Sequence, residues 1–587
     1  MLFFSHRQNH KTDVKTERGE IMQTIKLWEH GIVPGRDITL EINQIFREHK
    51  EDTLFEFEEG DYYLSPHEEL RHPYNLSNTD ASEYKTLGLW LRDMKNCTVS
   101  GNGARLWFAG QMQPFTIDHC SNLTIEGFTI DWEKPLVAEG VIVDFGENWA
   151  KISIDNQRFP HRYVDGWLEF DVGAGEWYPL RRDFCCIQYD ADTQCIRKNT
   201  GDVFLPLTIE AEGNDVYKLT TEGTVDAAIG NLFVLRHNRR LHAGIFMETS
   251  QNICVENVTV HSCGGLGCLS QFCHNVRFES VNFVPNTRLG RRVVNGRDDG
   301  MHITSNSGTV EITKCNFVGL MDDPINVHGC CVAVDEVVDN RTLRCSYRHE
   351  QAKGFRYWAK AEDEISFIDR KNMASLHTMK AHIYQLESAE SFTLSFSEEI
   401  PQNLLELAVE EERIALENLT NTAAFICTKN RFGSCRARGV LVSTPKPVLI
   451  EDNYFESSGS AILVAGDSNY WFESGACKDV TIRRNIFTNK CNSSSYEFCE
   501  GVISICPIVP EPEADKPFHE NINICNNVFD ITTSKSIYAL SCGHLRIKDN
   551  LIFISATDSG PDSGIMDFIA CSNVEVNSNE IMFKKCL

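Results

Sequence analysis

The sequence lacks any long apolar segment. No stretch approaches the run of about 18 apolar residues that a membrane-spanning helix requires. The first residues, MLFFSHRQNH, hold only a short apolar patch before charged residues begin, whereas a secretory signal needs an apolar stretch of roughly 7–15 residues. We therefore expect no membrane contact and a cytoplasmic location. Secretion stays open as the alternative if a leader has been removed from the chain.

Positive charge is also scarce. The chain has 56 lysines and arginines against 83 aspartates and glutamates, which gives a net charge of −27 at pH 7. A surface of that sign repels the phosphate backbone of nucleic acids, and an anionic polymer such as pectate is disfavoured for the same reason. The composition argues against a nucleic-acid partner and favours a neutral substrate.

No recognisable metal motif is present. The 23 cysteines are spread along the whole chain, and no pair has the C-x2-C spacing of zinc sites. The closest cluster is Cys263, Cys268 and Cys273, spaced at five residues. We interpret most cysteines as reduced, small and buried apolar side chains. We expect no metal and no cofactor.

The chain does contain a degenerate repeat. Its unit is an asparagine, an apolar–x–apolar triplet, a polar pair, and then an aromatic or aliphatic residue. It occurs at Ser121–Ile130, Gln251–Val260, His274–Phe283, Gly308–Phe317, Lys446–Phe455, Lys478–Phe487, Ile522–Phe529, His544–Phe553 and Asn573–Phe583.

Each unit contains two short strands that cannot bury their apolar edge unless copies stack. The step is 25 residues from Asn257 to Asn282 and 23 from Asn527 to Asn550, the length of one coil of a three-sided solenoid. A leucine-rich repeat, the competing solenoid, would need a leucine spacing and a helical half-repeat that are missing. We predict an all-β fold, a right-handed parallel β-helix of the pectin-lyase-like kind. Its interior should contain Ile125, Val255, Phe278, Ile312, Ile450 and Ile482.

Two stretches without the repeat alternate polar and apolar residues instead, which indicates two small antiparallel β-barrel domains inserted in loops. Apolar residues at helical spacing over Asp37–Lys50 predict a helix that caps the open end of the solenoid. The predicted organisation is an N-terminal extension (1–36), a cap with the first coils (37–133), an inserted domain (134–240), coils with the candidate acids (241–332), a second inserted domain (333–425) and the C-terminal coils (426–587).

Two pairs of aspartates are the candidates for catalysis. Asp298–Asp299 and Asp322–Asp323 are 24 residues apart, one coil, so they should stack at about 4.8 Å, beside His302, Asn326 and His328. Carboxylates crowded in this way repel, and at least one should keep its proton near neutral pH. A protonated acid beside ionised bases suits glycosidic cleavage. A calcium site, or solvated acids in turns, is the alternative, but two pairs in register favour catalysis.

A second group of candidates binds substrate. Asp467, Trp471 and Glu473 combine two acids with an aromatic ring on which a sugar can stack, although a capped loop with a half-buried tryptophan explains them equally well. Arg436 lies in RFGSCRARG and can hold sugar hydroxyls, or pair with a nearby acid. The predicted substrate-binding residues are Asp298, His302, Asn326, His328, Arg436, Asp467, Trp471 and Glu473.

With these motifs in view, the sequence resembles glycoside hydrolase family 110, exo-acting α-1,3-galactosidases that remove the terminal galactose of the blood-group B determinant. The resemblance covers roughly 54–487. It rests on GNGARLWFAGQMQPF, TIDW, RARG, DSNYWFESG and above all LMDDPINVHG, which lies one coil after an Asp-x-x-His. The chain departs from the pattern by an extra acid, Asp298, and by Gly300–Met301 before His302.

The resemblance implies an inverting, metal-independent hydrolysis on a β-helix with inserted barrels. It selects Asp299, Asp322 and Asp323 as catalytic residues, with Asp322 giving a proton to the leaving oxygen while Asp299 and Asp323 deprotonate a water. The expected partner is a galactose-terminated oligosaccharide, with a homodimer as the assembly to be tested. The alternatives are a polygalacturonase-like hydrolase, whose Gly-His-Gly and Arg-Ile-Lys motifs are missing, and a sugar-binding protein without catalysis.

Overall fold

Three parallel sheets run along the chain in the computed structural model. The structure describes residues 14–15, 21–80, 82–182, 186–193, 195–197, 205–237, 239–292, 298–410, 412–493, 496–532, 535–555 and 565–584. Half of the predicted N-terminal extension, residues 1–13 and 16–20, therefore lies outside the described residues. Each regular coil contributes one strand to each sheet, and we call them sheets A, B and C in the order in which a coil passes through them.

The strands of sheet A, in spatial order, are Val14–Lys15, Ile21–Lys26, Thr53–Glu56, Lys95–Ser100, Ser121–Glu126, Gln251–Glu256, His274–Glu279, Ser307–Thr313, Ala423–Thr428, Val448–Glu451, Val480–Arg483, Ile522–Cys525, Arg546–Lys548 and Glu575–Asn577. All neighbours pair in parallel except the first two, which are antiparallel.

Sheet B consists of Asp61–Leu64, Arg105–Phe108, Thr129–Trp132, Thr259–Val260, Asn282–Phe283, Asn316–Phe317, Arg431–Phe432, Tyr454–Phe455, Ile486–Phe487, Val528–Ile531, Leu551–Ser555 and Glu580–Lys584. Sheet C consists of Lys85–Arg92, Gln113–Asp118, Ile245–Glu248, Cys268–Gln271, Met301–Thr304, Ile325–Asp339, Val440–Ser443, Ile462–Val464, Gly501–Ile505, Lys535–Leu540 and Met566–Ile569. Arg71–His72 pairs antiparallel with the first strand of sheet C. A two-stranded sheet joins His519–Glu520 to Cys542–Gly543.

The predicted parallel β-helix is thus confirmed, and its interior has the predicted composition. Ile125 is the strand partner of Val255, and Phe278 is the partner of Ile312. The six residues assigned to the interior are completely buried in one continuous core. The described cysteines are all free, and most of them are buried in such positions.

A ladder of asparagines, buried except for Asn579 at its C-terminal end, fixes the corner between sheets A and B. Each side chain donates its amide to the oxygen of the next one along the axis at 2.8–3.1 Å, and that oxygen also accepts the backbone N–H of the preceding asparagine. Polar groups at a buried corner need such partners. The ladder consists of Asn430, Asn453, Asn485, Asn527, Asn550 and Asn579.

The N-terminal end is capped by the helix Thr39–Glu48, within the predicted Asp37–Lys50. Asp37 accepts the backbone N–H of Thr39 at 2.9 Å, an N-terminal capping contact. Asn43 donates to the carbonyl of Gly88 at 2.6 Å, which docks the helix on sheet C. The other helices are Gln402–Ala408 and the short 3-10 turns Leu27–His30, Glu68–Leu70, Thr287–Leu289 and Glu350–Ala352. None of the helices in the described residues is long and apolar enough to cross a membrane.

The second insertion is a closed antiparallel barrel of six strands. Its strands, in ring order, are Ile325–Asp339, Thr342–Ser346, Ser391–Phe396, Ala374–Leu386, Glu364–Asp369 and Ile414–Asn418. The first strand begins in sheet C and continues into the barrel without a break. The barrel therefore grows directly out of the coil that carries the second acidic pair.

The first insertion differs from the predicted barrel. Its described strands form an open antiparallel sheet in the order Cys186–Tyr189, Leu232–Arg236, Val137–Gly146, Trp149–Ile154, Val216–Thr220 and Thr208–Gly213. A three-stranded sheet contains His161–Val164, Trp167–Gly173 and Glu176–Pro179. The two sheets share one apolar core, to which Ile152 and Phe170 both belong. Because the two sheets pack against each other, their apolar side chains are buried without closure of either sheet into a barrel.

The asparagine ladder predicts a specific loss of stability. Asn453→Ala removes the acceptor of the Asn430 N–H and the donor to the carbonyl of Cys427, so buried groups lose their partners. We expect the free energy of unfolding to fall by at least about 2 kcal/mol in urea denaturation. Asn523→Ala, on a half-buried strand position, is the matched control and should change it by less than about 0.5 kcal/mol. Equal losses in both variants would contradict a structural role for the ladder.

Candidate active site

The two acidic pairs lie side by side at the entrance to sheet C. Asp298–Asp299 precede the strand Met301–Thr304, and Asp322–Asp323 precede Ile325–Asp339. Met301 is the strand partner of Ile325, and the Gly300 N–H donates to the carbonyl of Asp323 at 2.9 Å. The register therefore brings the pairs together as their 24-residue spacing predicted.

Glycine allows the coils to approach closely at this corner. A Cβ atom on Gly300 would lie 2.6 Å from the carbonyl oxygen of Pro324, and one on Gly267 would lie 2.6 Å from that of Gly300. Gly439, on the following coil, is equally crowded by Ala461. A larger residue would push neighbouring coils apart, so the glycines keep the acids of successive coils in register.

The acids line one cavity of about 440 Å³, within the size range of small-ligand sites. Its walls come from several parts of the chain: the coils, the loop before the first strand of sheet C, the first insertion and the segment after sheet-B strand Ile486–Phe487. The lining residues are Asn78, Asp80, Arg181, Arg236, Arg240, Asp298, Asp299, His302, Asp322, Asp323, Asn326, Arg436, Arg438, Leu441, Leu463, Ala465, Gly466, Asp467, Tyr470, Trp471, Glu473, Tyr496, Glu497, Phe498, Cys506 and Ile508.

Arg240 holds three of the carboxylates together. Its Nη2 atom lies 2.7 Å from Asp298, 3.2 Å from Asp322 and 3.8 Å from Asp299. The guanidinium is largely buried, and a buried cation of this kind offsets the repulsion between ionised acids. Arg240 lies where the chain returns from the first insertion, so it reaches the acids from outside the repeat.

Arg438 neutralises the fourth carboxylate. Its Nη2 atom lies 2.8 Å from Asp323 Oδ2, and its backbone N–H donates to Asp323 Oδ1 at 2.8 Å. The ring of Tyr496 lies 5.0 Å from the guanidinium carbons of both Arg436 and Arg438. The Tyr496 hydroxyl lies 3.5 Å from Asp322.

The surroundings push the pKa values of the three predicted catalytic aspartates apart. Burial, reinforced by the neighbouring Asp322, raises the pKa of Asp299 well above its ordinary range, and burial does the same for the pKa of Asp323 although Arg438 opposes it. Burial also acts on Asp322, but Arg436, Arg240 and Arg438 together lower its pKa. Groups this close titrate as a set.

Behind the acids lies a row of hydrogen-bonded side chains. His302 Nδ1 is 2.7 Å from Asp299 Oδ2, and His302 Nε2 is 2.8 Å from His328 Nε2. Glu473 Oε1 lies 3.6 Å from His328 Nε2, and Asn326 donates to the other oxygen of Glu473 at 3.3 Å. His302, Asn326 and Glu473 line the cavity, whereas His328 lies behind His302 and away from the cavity wall.

The remaining predicted substrate-binding residues occupy the rim and floor. Asp467 is buried and accepts the backbone N–H groups of Asn469 and Trp471, so it shapes the loop that presents the Trp471 ring to the cavity. Burial raises the pKa of Asp467. Arg436 donates to the carbonyl of Met321 at 3.0 Å and lies 3.8 Å from Asp322. All eleven predicted site residues thus gather in one region.

Sequence reasoning missed four groups at this site. Arg240, Asn78 and Tyr496 come from loops outside the repeat, and no spacing rule connects them to the acids. Arg438 lies in the same RARG motif as Arg436. Its position immediately before a strand of sheet C, as with the aspartates, was the signal that could have identified it.

One group of residues in the described structure has the composition of a metal site. The ligand atoms of His302, His328 and Glu473 lie within 4.8 Å of one another. Two imidazoles and a carboxylate are ligands typical of zinc.

Fold and site together define a β-helical enzyme of the glycoside hydrolase class. No family model matches the chain, but curated relatives do. Alpha-1,3-galactosidase B of Bacteroides thetaiotaomicron is 38% identical over 545 residues, covering 91% of this chain and 86% of the relative. Alpha-1,3-galactosidase B of Phocaeicola vulgatus is 32% identical, covering 86% of each, and alpha-1,3-galactosidase A of Bacteroides fragilis is 31% identical, covering 85% and 81%. The chain belongs to the α-1,3-galactosidase family, which confirms the resemblance to glycoside hydrolase family 110.

Solved structures resemble the chain more distantly. The A-module of mannuronan C-5 epimerase AlgE4 from Azotobacter vinelandii has 9% identity and a TM-score of 0.34, covering 96% of this chain and 97% of that one. A family 28 exopolygalacturonase of Yersinia enterocolitica has 11% identity and a TM-score of 0.35, covering 96% and 83%.

The buried charges predict a pH-dependent defect. Arg438→Gln leaves Asp323 buried without its cation, and this should cost about 3–5 kcal/mol at neutral pH. The variant raises the folded-state pKa of Asp323 further, so the folded variant keeps this proton to a higher pH than the folded wild type does. The stability deficit relative to the wild type therefore grows as the pH rises from 5 to 8. Urea denaturation across that range measures it. Arg341→Gln, which breaks an exposed pair with Glu399, should change stability by less than about 1 kcal/mol; a deficit in Arg438→Gln that does not depend on pH would refute the assignment.

Proposed function

We propose that the protein is an exo-acting, inverting glycoside hydrolase that removes terminal α-1,3-linked galactose from oligosaccharides such as the blood-group B determinant. One observation carries the proposal: Asp299, Asp322 and Asp323 lie on adjacent, strand-paired coils and line one cavity. The relatives named alpha-1,3-galactosidase give the linkage and the sugar.

The cavity favours a neutral substrate over a polygalacturonide. Eight acidic side chains and five arginines line it, so it is net negative. Arg240, Arg438 and Arg436 already face carboxylates of the protein, and they are poorly placed to hold the carboxylates of a uronic-acid polymer. A neutral hexose does not meet this repulsion, and its hydroxyls can bond both kinds of group.

The walls of the cavity support cleavage at a chain end. Arg181 and Arg236 of the first insertion line it together with Tyr470 and Trp471 of the C-terminal coils. A cavity of about 440 Å³ has the size of a small-ligand site and suits one terminal sugar, whereas an endo-acting hydrolase needs a groove open at both ends. The exposed Tyr470 ring, 54% accessible, is suited to stacking on the sugar that follows galactose.

Asp322 is the proposed proton donor. Its side chain is 25% exposed, compared with 6% for Asp299 and 3% for Asp323, so it is the acid that reaches an oxygen in the cavity. The arginines around Asp322 lower its pKa in the empty site. A bound galactoside excludes water from the exposed face of Asp322, and this desolvation raises its pKa toward that of an acid. The side chains of Asp299 and Asp323 are already shielded from water, so substrate binding raises their pKa values much less.

Asp299 and Asp323 then act on water at the opposite face of the sugar. One of their oxygens takes a proton from water as the water oxygen bonds to the anomeric carbon, while the bond to the glycosidic oxygen breaks and that oxygen receives the Asp322 proton. The product is galactose with inverted configuration. A protein that only bound sugar would have no need to crowd several buried carboxylates into one cavity.

The activity is tested by incubating the protein with the blood-group B trisaccharide and following release of galactose by ¹H NMR. We expect β-galactose to appear first, because single displacement inverts the α-linkage. The rate should be unchanged in EDTA, and a digalacturonide should not be cleaved. Initial α-galactose would contradict inversion, and loss of activity in EDTA would contradict a metal-independent reaction.

The assignment of roles is tested by substituting the three acids with asparagine. Each variant should lower kcat on the trisaccharide by at least about a hundredfold, and Asp298→Asn should be milder. p-Nitrophenolate leaves without protonation, so Asp322→Asn should be far less impaired on p-nitrophenyl α-galactoside, whereas Asp299→Asn and Asp323→Asn should be impaired equally on both substrates. If Asp323→Asn instead showed the selective recovery, Asp323 would be the acid.

A further inference from the structure

The histidines behind the acids form an unbroken hydrogen-bonded chain. It runs from Asp299 Oδ2 to His302 Nδ1 at 2.7 Å, from His302 Nε2 to His328 Nε2 at 2.8 Å, and from His328 Nδ1 to the carbonyl of Gly329 at 2.6 Å. His302 and His328 are buried. Each ring nitrogen of both histidines therefore has a hydrogen-bonding partner.

Counting protons along this chain gives one more than neutral histidines supply. The carbonyl of Gly329 can only accept, so His328 carries a proton on Nδ1. Each of the other two contacts also needs one proton, because two facing lone pairs repel. Three hydrogen bonds thus need three protons, whereas two neutral imidazoles bring two. The third proton is held in common by Asp299 and the two rings.

From this geometry we infer that His302 and His328 form a proton store for Asp299. The inference rests on the proposed function, in which Asp299 is a base. When the shared proton lies on Asp299, this carboxyl donates to His302, which donates to His328. When the proton moves to the rings, Asp299 is ionised and can act on water. One proton shifts along existing hydrogen bonds, and no bond to carbon changes in this step.

The charged groups around the chain support both positions of the proton. Glu473 Oε1 lies 3.6 Å from His328 Nε2, and its negative charge stabilises the imidazolium form of His328. Asn326 donates a hydrogen bond to the Glu473 carboxylate and holds it in place. Arg240, 3.8 Å from Asp299, stabilises the ionised carboxylate. Asp322 and Asp298 face the same carboxyl group, and their negative charges disfavour its ionised form. Burial raises the pKa of Asp299 and lowers that of His302 to about 4, so the shared proton rests on Asp299 until the ionised carboxylate is needed.

Three other residues, Asn78, His349 and Trp471, lie beside the two histidines. The side-chain amide of Asn78 contacts His302 Nε2, and it can present its oxygen there after a half-turn about its last bond, so that it does not compete for a lone pair. His349 and Trp471 line the small cavity beside His328 and contact each other at 4.6 Å.

The distance between the rings favours a proton over a metal ion. Two nitrogens bound to one tetrahedral zinc at about 2.0–2.1 Å lie roughly 3.3 Å apart. The observed 2.8 Å is the length of an N–H···N hydrogen bond. His302, His328 and Glu473 have the composition of a metal site, and the separation within it is that of a shared proton.

The test compares His328→Gln with the wild type. Glutamine fills the position but cannot store a proton, so the proton stays on Asp299 until it is lost to solvent. The acidic limb of the kcat/KM profile, which reports ionisation of the base, should move to higher pH by at least about half a unit, and kcat should fall. His119→Gln, which breaks a histidine–aspartate contact with Asp118 outside the cavity lining, is the matched control and should leave the profile unchanged.

A purely structural role would lower kcat without moving the limb, and that result would overturn the inference. Wild-type activity on the B trisaccharide tests the proposed function separately from this shift. If the His328→Gln variant fails to fold, NMR of ¹⁵N-histidine-labelled wild-type protein tests the inference instead. The spectrum should show an imidazole Nε2 proton that is protected from exchange with solvent. The same signal should remain in the His119→Gln variant, which shows that it does not come from His119. Absence of that proton, or one equivalent of zinc in elemental analysis, would overturn the shared proton.

Discussion

The parallel backbone ladder of sheet C is the constraint on which the site depends. Met301, Ile325 and Val440 are successive strand partners, so whatever precedes these strands is stacked at the strand spacing of about 4.8 Å. The acidic pairs precede the first two, and Arg436 and Arg438 precede the third. A slip of one residue would turn each of these side chains to the other face. The asparagine ladder and the buried core stabilise the same register.

Stacking places like charges together, and the rest of the site compensates for this. Four carboxylates on adjacent coils would repel in a buried position. Arg438 compensates from within the repeat because it is stacked on Asp323. Arg240 compensates from the end of the first insertion, where it contacts three of the carboxylates. The insertion is therefore part of the electrostatic balance of the coils and not only an addition to their surface.

The sequence allowed the periodic part of this arrangement to be predicted, for a physical reason. A coil has a nearly constant length, so a spacing of 24 residues between Asp298 and Asp322 implies contact, and the interior position of Ile312 follows from its place in the unit. Arg240, Asn78 and Tyr496 reach the cavity from segments without a period, and their contacts depend on tertiary packing. The open sheet of the first insertion was missed because alternation predicts strands but not how their edges pair.

The periodic coils carry the residues of the reaction, whereas the aperiodic segments carry the residues that determine which substrate fits. Side chains on the coils, such as Asp299 and Asp323, are fixed by a ladder that cannot change without disturbing the whole solenoid. The groups that bound the cavity, Arg181 and Tyr470 among them, lie on segments whose length and sequence can vary without altering the register. A change of substrate therefore requires only new walls around an unchanged set of carboxylates, and selection can act on the insertions and loops while the coils retain the reaction.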